Sequence, residues 1–73
     1  MGYIMRYISV SASDLSAVGY DPKSKTLEIQ FHNGIYRYSN VPESVYNGLM
    51  SASSHGVYFY QNIKEKYPYS KIG

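Results

Sequence analysis

The dipeptide Asn33-Gly34 constrains this chain more than any other feature. It separates two short runs, 26–32 and 35–39, in which apolar and polar residues alternate. Asn-Gly is the strongest short-range hairpin signal, because a two-residue type I′ loop needs positive φ at both central positions. A second turn lies upstream at Asp21-Pro22-Lys23-Ser24. There the Asp carboxylate can accept from the backbone ahead, and Pro presets φ. Together the two turns predict strands over 13–20, 26–32 and 35–39.

The register follows from the turns. With Asn33-Gly34 as the loop, His32 faces Ile35, Phe31 faces Tyr36, Gln30 faces Arg37 and Ile29 faces Tyr38. Side chains alternate along a strand. One face therefore carries Leu27, Ile29, Phe31, Tyr36 and Tyr38, and the other Glu28, Gln30, Arg37 and Ser39. If Asp21 and Thr26 close the first hairpin, Tyr20 faces Leu27 and Val18 faces Ile29, which places both on the same apolar face. A slip of one residue would invert the whole set.

After the strands the period changes. Val41-Pro42-Glu43 opens a helix, with Pro at its first position and an acid in its first turn. Val45, Leu49 and Ala52 fall on one stripe of a helix over 42–52, and Val41 with Val45 forms a hydrophobic staple. Ser53-Ser54-His55-Gly56 interrupts. A shorter helix over 57–66 carries Phe59 and Ile63, and Pro68 stops it. The fold class is α+β: a small antiparallel three-stranded meander with two short C-terminal helices packed on one face. Residues 1–10 offer a fourth strand.

Seventy-three residues make one domain. A chain this short has a thin stability margin, and without cysteine it has no disulfide staple and no Cys-based zinc site. Ten of its twelve aromatic residues are tyrosines, which supply ring area to a small core or a contact surface. A net charge of +2 is compatible with nucleic acid but is no dense basic stripe. No apolar run is long enough to span a membrane, and the start lacks the pattern of a cleaved signal or a myristoylation site. The expectation is a cytoplasmic protein with no membrane partner.

The active-site checklist is almost empty. His32 and His55 lack other ligands at metal spacing, so no metal or cofactor is expected. The serines beside His55 show no orienting third group, and the scattered glycines form no phosphate loop, so no catalytic residue is assigned and no enzyme is expected. Tyr36-Arg37-Tyr38 suits stacked bases with a neighbouring phosphate. The register nevertheless puts both rings on the covered face, which makes Tyr36 and Tyr38 structural. Arg37 points outward, pairs diagonally with Glu28, and its removal should move stability by no more than about 0.5 kcal/mol. The tail from Lys64 to Lys71 mixes cations with tyrosines, as an RNA- or phosphate-touching edge would, but reads more simply as a solvated helix end, its lysines complementing the helix dipole.

Ser16-Ala17-Val18-Gly19-Tyr20-Asp21, Leu27-Glu28-Ile29-Gln30-Phe31 and Gly34-Ile35-Tyr36-Arg37-Tyr38 stand in order. They are followed by Val41-Pro42, Val45-Tyr46, Leu49, Ala52-Ser53, Gly56-Val57-Tyr58-Phe59 and Ile63-Lys64. Over residues 11–72 this series resembles the KTSC domain, a module at the C-terminus of some lysyl-tRNA synthetases and a stand-alone bacterial or phage protein. Tyr36 and Tyr38 match its central Tyr-x-Tyr. The resemblance implies an RNA-associated module, binding weakly and salt-sensitively, with Arg37, Lys64 and Lys66 on phosphates. The alternative is a protein-interaction module that uses exposed tyrosines and a free sheet edge, homodimers included.

Overall fold

A computed structural model describes residues 5–12 and 14–73. Ser13, where the first strand was expected to begin, lies outside them, as do residues 1–4. The elements are β1 (Tyr7–Ser9), β2 (Leu15–Asp21), β3 (Thr26–Phe31), β4 (Gly34–Tyr38), α1 (Glu43–Ser51), α2 (His55–Asn62) and β5 (Tyr69–Lys71). The sheet has five strands in the order β1-β2-β3-β4-β5, all antiparallel, not the three or four expected. The expected meander is its centre, and each chain end adds a three-residue edge strand.

The first hairpin closes as the sequence predicts, with Asp21 opposite Thr26, Tyr20 opposite Leu27 and Val18 opposite Ile29. Asp21 caps its own turn, accepting from the Lys23 N–H at 3.2 Å and the Ser24 hydroxyl at 2.7 Å. These bonds hold its carboxyl below the usual range, the Ser24 bond most strongly. A bulge between Leu15 and Ala17 turns both Leu15 and Val18 into the core.

The second hairpin differs from expectation. Phe31 pairs with Gly34, so the loop is His32-Asn33, and Ile29 pairs with Tyr36 and Leu27 with Tyr38. Neither His32 nor Asn33 has positive φ, whereas Gly34 does, at 145°. Glycine tolerates that conformation, so the positive φ falls just after the turn rather than within it. The register shifts by an even number of residues. Every side chain keeps its predicted face, but Glu28 now stands directly opposite Arg37 instead of diagonally.

Pro42 is the N-cap of α1 rather than its first helical residue, and Val41 before it is fully buried. Helix α2 starts earlier and ends sooner than expected. Ser54 caps it, its hydroxyl accepting from the Val57 N–H at 3.3 Å. His55 is thus the first residue of α2, not a loop residue, and its Nδ1 meets the Leu49 carbonyl at the end of α1, 2.8 Å away. Past Ile63 the chain turns at Glu65, φ 62°, well before Pro68. The tail is therefore no helix end. It runs back along β4, with the Ser39 N–H bonded to the Pro68 carbonyl at 2.9 Å and the Ile72 N–H to the Ile35 carbonyl at 2.8 Å.

Both helices lie on one face. Leu15, Val18, Leu27, Ile29, Tyr38, Val41, Leu49, Phe59 and Ile63 form the core. Tyr20 stacks on Tyr46 of α1, ring centres 4.8 Å apart, and donates its hydroxyl to the Val41 carbonyl at 2.5 Å. Gly48 lets the helices meet, since a Cβ there would sit 2.2 Å from the Tyr58 hydroxyl.

Candidate nucleic-acid interface

Strand β5 extends the helix-covered face past its cover. Tyr38 pairs with Tyr69 and Tyr36 with Lys71, so Tyr69 and Lys71 share the face of the two central tyrosines. Helix α2 reaches only as far as Phe31 and Tyr38, on which Phe59 packs edge-on at 5.1 and 5.7 Å. Tyr69 therefore remains 57% exposed, its ring 6.0 Å from Tyr36 and 5.5 Å from Tyr38.

The free flank of α2 carries a second exposed tyrosine. Tyr58 points to α1, over Gly48. Tyr60 lies two residues further, about 200° around the helix, on the side away from α1. It is 66% exposed, and the Lys64 ammonium sits 4.5 Å above its ring. Lys66 is exposed in the following turn. Tyr60, Lys64 and Lys66 thus lie along and just past the end of α2, and Tyr69 and Lys71 lie on β5 beside Tyr36.

The central pair divides. Tyr38 is buried, and burial, reinforced by the neighbouring Tyr69 and Tyr36 hydroxyls, pushes its hydroxyl up to about 12. It is a core ring. Tyr36 is half-buried and packs edge-on against Phe31 at 5.5 Å. Burial, then Glu43 and Asp21, raises Tyr20 as well.

Arg37 stands on the other face. It belongs to a row across all five strands: Tyr7, Gly19, Glu28, Arg37 and Ser70. Its Nε donates to Glu28 Oε2 at 2.8 Å, and the Tyr7 hydroxyl donates to Glu28 Oε1. Met5, Tyr7, Glu28 and Arg37 line an open cleft of about 380 Å3. The structure brings Lys64 and Lys66 together at one end of α2 and separates both from Arg37. Among the described residues, no three His, Asp or Glu side chains gather at metal-holding distance.

The model of the KTSC domain matches residues 11–67. The chain belongs to the KTSC domain family. A solved KTSC domain protein of Yersinia pestis is 44% identical, with a TM-score of 0.93 over 96% of this chain and 100% of that one. An uncharacterized protein of Stutzerimonas stutzeri is 39% identical over 70 residues, 93% of this chain and 99% of its own length. A lysine–tRNA ligase of Nostoc is 38% identical over 61 residues, which are 82% of this chain but 11% of that enzyme.

In this KTSC domain the match begins after β1 and ends before β5, so Tyr7, Tyr69 and Lys71 fall outside it. Sequence reasoning set Tyr69 and Lys71 aside with the rest of the tail as a solvated helix end, and did not single out Tyr60. The available signal was the alternation of Tyr69 with Lys71 beyond Pro68, which reads as a strand once the helix is stopped early. No described helix is long and apolar enough to cross a membrane.

Proposed function

We propose that this KTSC domain is a non-enzymatic binding module for RNA, held through α2 and β5. The observations that support this reading are two exposed rings, each with a lysine beside it: Tyr60 under the Lys64 ammonium, and Tyr69 on the same strand face as Lys71. Bases stack on aromatic rings regardless of sequence, while cations beside them neutralise phosphates. Because Tyr69 rests on Tyr36 and Tyr38, its ring is braced before any ligand arrives. The likeness to part of a lysine–tRNA ligase also supports tRNA as the RNA to try first. Arg37 drops out of the phosphate contacts, because it faces the opposite side of the sheet. Binding of this kind is weak and falls steeply with salt.

Amide spectra of labelled protein, titrated with tRNA at two salt concentrations, test the proposal. Shifts confined to residues 58–71 at low salt and abolished at high salt are expected. Silence at both salts would overturn it. The protein-interaction reading rests on the short edge strands β1 and β5, where Ile8 is 48% exposed and a partner strand, including a second copy, can add. A concentration-dependent rise in sedimentation coefficient without RNA would favour that reading.

A further inference from the structure

Strand β5 leaves one edge of the sheet open, and its hydrogen bonds fix which backbone groups lie on that edge. Ile72 donates its N–H to the Ile35 carbonyl at 2.8 Å, and the Pro68 carbonyl accepts from the Ser39 N–H at 2.9 Å. With Ser70 opposite Arg37, the backbone groups of residues 68, 70 and 72 turn toward β4. Those of Tyr69 and Lys71 turn outward. Among the described residues no strand lies beyond β5, and all three of its residues are exposed.

An open edge of this kind is a template for a further strand, and proline or an overhanging lysine usually guards it. Both guards face inward here. Pro68 lacks its N–H on the β4 side, not on the free side. The Lys71 arm lies back over β4, where a Cβ on Gly34 would sit 2.6 Å from Lys71 Cε. Nor does a helix overhang the edge. Phe59 of α2 packs on Phe31 and Tyr38, and Tyr69 beyond them stays 57% exposed.

We infer that β5 pairs antiparallel with β5 of a second copy of this chain, about a two-fold axis at Ser70. That register sets Tyr69 opposite Lys71 of the second copy, and Lys71 opposite its Tyr69. Every outward N–H and C=O of both residues then finds a partner. An axis at Lys71 would place like charges opposite each other. It would also face Tyr69 with Gly73, whose N–H and C=O are both bonded to Ile35. An axis at Tyr69 would leave Lys71 opposite Tyr67, outside the strand. The two sheets join into one, with Tyr69 and Lys71 of both copies on the face of Tyr36 and Tyr38. Three residues a side make a small, reversible interface, with a Kd on the order of 0.1–1 mM. This pairing commits the edge-strand alternative to one strand, one partner and one register. It uses backbone groups, so it is independent of the RNA contacts, which use side chains.

Sedimentation equilibrium of the RNA-free protein, between about 20 μM and about 2 mM, tests the pairing. A rise from monomer toward dimer is expected. Because each copy carries +2, added salt should hold or tighten the dimer, whereas it weakens RNA binding. Lys71→Pro takes an N–H from the free edge while sparing the bonds to β4, and should weaken association about tenfold or more. Ser70→Cys tests the register. At a non-hydrogen-bonded pair the two Cα atoms lie about 4.5 Å apart, within disulfide reach. The chain has no other cysteine, and Ser44 on α1 is also exposed. Oxidised glutathione should therefore cross-link Ser70→Cys into a dimer about tenfold faster than Ser44→Cys. Three results would each overturn the inference: a monomer at every concentration, a dimer that Lys71→Pro leaves intact, or equal cross-linking of the two cysteine variants.

Discussion

The two faces of the sheet solve the same problem in different ways. Beneath the helices, Val18, Leu27 and Ile29 are fully buried and no ion is present among the core residues. On the open face a carboxylate, Glu28, is almost as well hidden, covered by Tyr7 and bonded to Arg37. The covered face derives stability from area removed from water. The open face relies on satisfied polar groups, which contribute less and penalise any missing partner more. Strand alternation alone generates both, since Tyr38 and Arg37 are neighbours in sequence and differ only in side.

Substitutions at these neighbours sharpen the contrast. Tyr38→Ala removes a buried ring and should cost about 3–5 kcal/mol. That approaches the whole stability of a domain this size, about 4–11 kcal/mol, so its melting curve should show much of the population unfolded. Arg37→Ala should cost about 1–3 kcal/mol, because it strips a buried carboxylate of its cation. This replaces the near-neutral effect expected from an outward-pointing residue. It stays below the cost of breaking a fully buried pair, since Arg37 is half exposed. Adding Glu28→Leu should return most of the loss, and denaturant midpoints of the two singles and the double would show it.

The Tyr38 hydroxyl gives a pH signature for the covered face. Its folded pKa, about 12, lies above the ordinary tyrosine value, so the folded state holds its proton more tightly than the unfolded chain. Stability from this group is complete below pH 10 and is lost as pH rises from about 10 toward 12. Tyr38→Phe removes that alkaline loss and should otherwise cost far less than the ring deletion, because it keeps the buried ring. The smallest effect is at the first turn, where Asp21, half-buried with a lowered pKa, contributes stability that fades as pH falls through the carboxylate range. Asp21→Asn should flatten that acid limb in melts taken across the range.

The legible and illegible parts of this fold divide along the same lines. Local chemistry was readable: the Asp21 turn set one register, and alternation assigned faces correctly even where the Asn33-Gly34 loop closed one residue early. Long-range coverage was not. Strand β5 is three residues held by backbone bonds to β4, with no apolar pattern to announce it. The burial of Glu28 depends on Tyr7, twenty-one residues away, and on the bare Cα of Gly19 between them. Arg37 and Lys64 are both phosphate ligands by type, but the strand alternation already turns Arg37 away from the helix-covered face, and the structure keeps it there.

The most direct test of the functional account is the salt dependence of tRNA binding, measured by fluorescence anisotropy for three proteins. These are the wild type, Lys64→Ala, and the paired open-face variant Arg37→Ala with Glu28→Leu. Each phosphate-contacting cation lost should lower the slope of log K against log salt by about 1. The account predicts that reduction for Lys64→Ala and an unchanged slope for the open-face pair. A slope reduced by the open-face pair and untouched by Lys64→Ala would contradict it, and would place any RNA on the face of Arg37.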